Sequence, residues 1–282
     1  MTAASDVAAA GQLACLLEVS APKPGNVSPE RHFHDTRYED FLASAVAIGP
    51  ALAAAGNQPL GTTIREAVEA TFRWTKSNTN LGIVLLLAPL ARAALKPGTG
   101  LRERLGQVLA ETTVADAGEV YAAIRRARPG GLGEASVEDV AAAPTVTLRE
   151  AMALAAGRDA IAREYVTDFS LTFDIGVPAV RAARQEGLAW SDAIVEAYLA
   201  LLDASADTHI ARKLGPDEAA AVSNRVREVR AAGGTRTAPG RKALAGLDAE
   251  LRDPRNRRNP GTTADLTCAA LFVVIIEGGW DR

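Results

Sequence analysis

An all-helical fold is what this 282-residue sequence predicts, and three observations carry that reading. Alanine-rich segments of helical length follow one another from end to end, and alanine has the highest intrinsic helix propensity. Aromatic residues make up only 5%, which argues weakly against a sheet. The β-branched run Val273-Val274-Ile275-Ile276 continues an apolar helical pattern, with no alternation and no hairpin partner. No repeated β-α-β unit, G-x-G-x-x-G or P-loop sequence appears, and neither does an internal repeat or a low-complexity linker. Residues 1–282 are therefore expected to form a single all-α domain, an orthogonal or bundle-like arrangement with its ligand pocket at helix N-termini.

In chain order, the first helix is expected over 7–19, an alanine- and leucine-rich stretch. A second, over 38–54, follows the capping candidates Asp35-Thr36, and a third covers 63–73. The fourth, 81–94, grows directly out of the polar run Ser77-Asn78-Thr79-Asn80. Helices over 101–109 and 115–126 precede "RPGGLGEASVED" (128–139), which reads as a loop or lid. Thr147-x-x-Glu150 has the pattern of a capping box and opens 148–165; Ser136-x-x-Asp139 has the same pattern. Further helices follow over 169–185, 193–202, 217–231 and 263–276, with Gly187 and Gly233-Gly234 as C-terminal stops.

Composition narrows the partners. Hydrophobic residues are 48%, charged residues 23% and the net charge −3, with a pI near 5.8. There is no global field for nucleic acid or an anionic membrane, so a polyanionic ligand needs a local basic pocket. Cys15 and Cys268 sit in apolar stretches outside any metal-like spacing and read as buried free thiols. The N-terminal stretch has no Lys or Arg ahead of its apolar residues and carries Asp6, unlike a signal peptide. The longest apolar runs fall short of the roughly 20 residues that span a bilayer. A cytoplasmic protein is expected.

Candidate chemistry lies in the segments between helices. In "EVSAPKPGNVSPERHFHDTRYEDF" (18–41), Pro22 and Pro24 hold the chain extended around Lys23, and Gly25-Asn26 permits a turn and a close approach to a ligand. His32, His34 and Asp35 suit contacts to phosphate or sugar, a transition metal, or only a solvated loop. A helix starting near Asn80 would aim its N–H groups and dipole at Asn78 and Thr79, with Gly82 allowing a ligand close; a plain cap explains the same residues. Asp207 precedes Thr208, His209, Arg212 and Lys213, and could hold Mg²⁺, act as a base or cap a helix. Arg252, Arg255, Arg257 and Arg258 form the densest basic cluster, just before Asn259-Pro260-Gly261 and Thr262-x-x-Asp265.

The pieces "PKPGNV", "HFHD", "NTNLG", "ADTHIARK", "AAGG" (231–234) and "NPGTTADL" resemble, in this order, the triphosphoribosyl-dephospho-CoA synthase family, over about residues 12–277. The resemblance implies an all-helical pentosyltransferase. It would move the 5-triphosphoribosyl group of ATP onto the ribose 2′-hydroxyl of dephospho-CoA, release adenine and make an α-glycosidic bond. It also implies that Lys23, His32, His34, Asp35, Asn78, Thr79, Asp207 and Asp265 lie at the ligand site. Two departures stand out: the family's usual "NTHKG" is "NTNLG" here, and its "DTN" is "DTH". They admit a different donor and acceptor, such as phosphoribosyl pyrophosphate and a ribitol hydroxyl in tetrahydromethanopterin assembly. They also admit a helical protein that only binds a nucleotide.

For either transfer, Mg²⁺ is expected to bridge phosphate oxygens with Asp35 and Asp207 as its carboxylate ligands, and one carboxylate or His34 to accept the alcohol's proton. Lys23 with arginines such as Arg257 and Arg258 would hold phosphates. Gly25, Asn26, His32, Asn78, Thr79, Asn80, Gly82, Thr208, Arg212 and Asp265 complete the expected binding set. The expected partners are a nucleotide or activated ribose and an alcohol, with a homodimer allowed by the alanine-rich helices.

Overall fold

A computed structural model describes residues 2–133 and 135–280. Among them the secondary structure is helical, with no strand and one isolated bridge, Ser28 to Arg31. The all-α class is therefore as expected. Where the sequence suggests one domain, the chain gathers into two compact units: Met1–Leu16 with Glu39–Ser170, and Leu17–Tyr38 with Leu171–Arg282.

The first unit takes the beginning of α1 (Ala4–Ser20) and then α2 (Tyr38–Ala47), α3 (Gly49–Ala54), α4 (Leu60–Thr71), α5 (Leu81–Leu95), α6 (Leu101–Ala110), α7 (Val114–Ala127), α8 (Leu148–Ala155) and α9 (Ala160–Val166). The expected helix over 38–54 breaks at Ile48, where Gly49-Pro50 starts a new helix with the proline in its first turn. The expected helix over 148–165 also breaks. Thr147 and Glu150 form their capping box, but Asp159 accepts from Ile161 and Ala162 N–H and caps a second helix. Ser136-x-x-Asp139 starts no helix; Asp139 instead accepts from Ala135 and Ala141 N–H and closes a loop.

α5 is buried along nearly its whole length and carries Pro89 in its interior. A proline has no N–H, so the carbonyl four residues back, Leu85 O, loses its helical donor. The Tyr165 hydroxyl of α9 donates to that carbonyl at 2.6 Å. The ring is fully buried, and burial pushes its phenol far above the ordinary range, so it remains a donor.

The second unit takes the end of α1, residues 21–37, a π-helical turn (Thr172–Gly176), α10 (Val177–Gln185), α11 (Trp190–Ala204), α12 (Thr208–Leu214), α13 (Pro216–Ala231), a 3₁₀ turn (Gly234–Arg236), α14 (Ala238–Leu251) and α15 (Gly261–Ile276). α11 and α15 are buried through most of their lengths and pack on each other; α10 packs on both. At the π turn, a Cβ on Gly176 would stand 2.7 Å from the Ala270 Cβ of α15, so the close crossing needs glycine. Gly187 and Gly233 follow α10 and α13 with left-handed φ of 85° and 104° and end them as expected. Cys15 and Cys268 are free and buried.

α12 and α14 were not anticipated. α12 has seven residues, too few for an apolar period to show. α14 has two internal glycines and a Pro near its start, yet Thr237 caps it by accepting from Gly240 N–H.

Candidate functional site

The Pro-Lys-Pro-Gly-Asn turn is built from the inside of the second unit. The Lys23 side chain is fully buried. Its ammonium donates to the Glu18 carbonyl and to the Ala21 carbonyl at 3.3 Å, and pairs with Glu18 Oε1 at 2.9 Å. Burial raises the Glu18 carboxyl's pKa, and Lys23 opposes the shift. The ammonium is thus committed to the end of α1 by two hydrogen bonds and one ion pair. Lys23 is expected from the sequence to hold a phosphate; in this conformation its side chain is fully buried against the end of α1.

Gly25 and Asn26 are likewise committed to α14 rather than to an open approach. Gly25 has φ +73°, its N–H donates to Asp248 Oδ1 at 2.8 Å, and a Cβ there would lie 2.7 Å from Leu251 Cβ. Arg252 chelates Asp248 and donates to the Asn26 carbonyl at 2.9 Å. The buried Tyr198 hydroxyl donates to the Pro24 carbonyl at 2.9 Å.

The histidine loop is more open. His32 Nδ1 accepts from Tyr38 N–H at 3.1 Å, so His32 caps the start of α2, the task expected of Asp35-Thr36. His34 is exposed, with its Nδ1 bonded to Asn256 Nδ2 at 2.9 Å and its Nε2 3.8 Å from Asp35 Oδ2. This contact joins the "HFHD" loop to the arginine-rich loop, more than 200 residues away in sequence.

That second loop is wound around Asp253. The carboxylate accepts from the N–H groups of Arg255, Arg257 and Arg258. Partial burial pushes its pKa up, but these bonds win and hold it below the usual carboxylate range. Arg258 pairs with Glu218 at 2.8 Å and Arg257 with Asp253 at 3.5 Å.

Asp207 is buried at the start of α12, and all four of its hydrogen bonds go to the protein. Oδ1 accepts from His209 and Ile210 N–H at 2.8 and 3.0 Å; Oδ2 accepts from Thr263 N–H and Oγ1 at 2.8 and 2.7 Å. One carboxylate thereby caps α12 and ties it to the first turn of α15. Burial raises its pKa against these bonds. Its lone pairs are occupied in this conformation, so Asp207 serves here as a cap, one of the three roles the sequence leaves open for it. Alongside, Thr208 Oγ1 meets Thr262 Oγ1 at 3.1 Å, and Asp265 stands half-buried one turn further along α15. Among the described residues no group of three or more His, Cys, Asp or Glu side chains could hold a metal ion.

The His209 ring packs against Gly261, where a Cβ would fall 2.2 Å from its Nδ1. Burial first, then Lys213 and Arg212, push its pKa down to about 3, so the imidazole is neutral at pH 7. Lys213 ends α12 half-buried. Its pKa is lowered by burial and by Arg212, and partly restored by Asp35, Asp253 and Asp207. One carboxylate from the "HFHD" loop and one from the arginine loop thus act on this ammonium through the field.

Asn78, Thr79, Asn80 and Gly82 belong to the first unit, at the start of α5. Asn78 Oδ1 accepts from Leu81 N–H at 3.1 Å, Thr79 Oγ1 meets Ser44 Oγ at 2.5 Å, and Asn80 Nδ2 donates to Thr71 Oγ1 at 3.0 Å. The cap thus comes from Asn78, two residues before the boundary at Asn80. Asn80 and Leu81, standing where the family pattern has His and Lys, are both buried.

Sequence reasoning missed the organising residues Asp248, Asp253 and Asn256. A single aspartate at the head of "DPRNRRN" was the available signal for the second, since Asp readily accepts from N–H groups two residues on.

Residues 4–282 match the family profile described as ATP:dephospho-CoA triphosphoribosyl transferase. A relative from Pseudomonas fluorescens, named "Probable 2-(5''-triphosphoribosyl)-3'-dephosphocoenzyme-A synthase", is 30% identical over 224 residues, 79% of this chain and 69% of the relative. A Klebsiella pneumoniae protein named 2-(5''-triphosphoribosyl)-3'-dephosphocoenzyme-A synthase is 32% identical over 104 residues, 37% of this chain and 36% of the other. A structure described as "Crystal structure of putative triphosphoribosyl-dephospho-coA synthase from Archaeoglobus fulgidus" superposes with a TM-score of 0.65 at 26% identity, covering 84% of this chain and 99% of that one.

Proposed function

Because this chain belongs to the ATP:dephospho-CoA triphosphoribosyl transferase family, we propose that it transfers the 5-triphosphoribosyl group of ATP to a hydroxyl of dephospho-CoA. The observation that supports this reading best is the His34–Asn256 contact, which sets an imidazole and a carboxylate beside a loop rich in arginine. An acid–base pair next to cations is what a displacement at a phosphorylated sugar requires.

ATP is a β-glycoside and the product bond is α, so the reaction inverts the anomeric carbon and fits a single displacement. The acceptor oxygen attacks that carbon, and adenine leaves with the electron pair of the C–N bond. His34 or Asp35 receives the acceptor's proton; both are exposed and mutually oriented, 3.8 Å apart. Mg²⁺ enters with the triphosphate, as part of the substrate. A protein site for Mg²⁺ commonly offers only one or two carboxylates beside phosphate oxygens, and the exposed Asp35 beside His34 is the carboxylate we assign to it. Two buried free thiols and an ATP-dependent reaction suit the cytoplasm.

Transfer from phosphoribosyl pyrophosphate and non-catalytic nucleotide binding draw no support from these relatives. The departures that suggested them fall on Asn80, Leu81 and His209, which here are packed against the protein. Incubation with ATP and dephospho-CoA should release adenine in step with acceptor consumption, and His34→Ala should slow it at least about a hundredfold. Absence of adenine release from the native protein would refute the proposal.

A further inference from the structure

We propose that Lys213, at the end of α12, is the cation that binds the substrate's phosphate chain in the second unit. That the chain is the triphosphate of a nucleotide rests on the transferase reading above; that a phosphate meets Lys213 rests on which cations already have partners.

Most of the positive charge on the Pro-Lys-Pro turn and the arginine loop is already committed within the fold. A polyphosphate is bound by cations whose donors are not already spent. Lys23 is sealed against the end of α1 by Glu18 and two carbonyls. Arg252 is chelated by Asp248, Arg258 is paired with Glu218, and Arg257 leans on Asp253. Arg255 carries no such pair, but it is exposed, where a single charge is screened by solvent. Lys213 differs from all of them. It is half-buried, and among the described residues no acceptor stands within hydrogen-bonding or ion-pairing distance of its ammonium.

The groups facing Lys213 do not neutralise it. From its own helix come Arg212, like-charged, and His209, held neutral. From the helix start comes Asp207, whose oxygens are taken by four N–H and O–H donors. Asp253 is saturated by its own loop, and Asp35 is turned toward His34 and Thr36. These carboxylates reach Lys213 only through the field. A half-buried ammonium with three spare donors costs the folded state free energy, and the same burial, with Arg212, lowers its pKa. An incoming phosphate would supply the missing acceptors. Such a group weakens the empty protein and strengthens the complex, which separates it from a lysine kept for structure.

The test uses the full chain and two probes, ATP and inorganic tripolyphosphate, titrated calorimetrically into the native protein and into Lys213→Met, Lys213→Arg and the exposed control Lys242→Met. Expected are a loss of at least about tenfold in affinity for both probes with Lys213→Met, recovery of most of it with Lys213→Arg, and no change with Lys242→Met. The thermal midpoint of Lys213→Met should equal or exceed that of the native protein. Native affinity in Lys213→Met overturns the proposal. So does a native protein that binds neither probe, or a lost affinity accompanied by a lowered midpoint. A native protein that binds tripolyphosphate through Lys213 but releases no adenine would refute the transferase reading and leave this site standing. Adenine release with Lys213→Met unimpaired would do the reverse.

Discussion

Lys23 and Lys213 lie in the same unit, and both sit in motifs that mark the chain's ancestry, yet their surroundings are opposite. The Lys23 ammonium has a carboxylate and two carbonyls for its three protons and no contact with solvent. Lys213 has only a field of distant carboxylates and remains half-buried. The difference teaches that a lysine's place in a motif does not tell whether its charge is spent on the fold or kept for a ligand. The acceptor inventory around the nitrogen does.

The strongest way to break the comparison is Lys23→Met. It strands a buried Glu18, and the unfolding free energy measured in denaturant should fall by about 3–5 kcal/mol, with Glu18→Leu added to Lys23→Met restoring much of it. A stable single variant would show that Lys23 is not spent on the fold. Asp207→Ala is next: it uncaps α12 and releases the first turn of α15, and should cost roughly 2–4 kcal/mol by the same measurement. Gly25→Ala meets both a left-handed φ and Leu251, and should cost about 1–3 kcal/mol.

The smallest effect concerns His209, one turn before Lys213 on α12. Its folded pKa of about 3 lies below the ordinary 6.5, so the unfolded chain binds the proton more readily between those values. The stability due to its neutral form is present above pH 6.5 and lost as pH falls toward 3. His209→Asn should flatten the pH dependence of the thermal midpoint across that window relative to the native protein. An unchanged slope would mean the imidazole is not held neutral by its surroundings.

Much of the fold was legible because alanine-rich periodicity and Gly or Pro boundaries act locally; α5, α7 and the Thr147 capping box follow from a few neighbouring residues. The break at Ile48 and the short α12 were not, since one depends on a proline's missing N–H and the other on Thr263, 56 residues from Asp207. The candidate site was legible as a set of segments and illegible as a division of labour. Lys23, Gly25 and Asp207 look like ligand contacts in a string of letters, because nothing there reveals that Glu18, Asp248 and Thr263 answer them first.

The Tyr165 hydroxyl crosses 80 residues of sequence to reach the carbonyl that Pro89 leaves open. α5 therefore cannot be finished by its own chain segment: its middle turn stays incompletely bonded until α9 has docked. Amide exchange along α5 should accordingly report on the arrival of a helix made much later, so the most apolar rod of the first unit is also the one that waits.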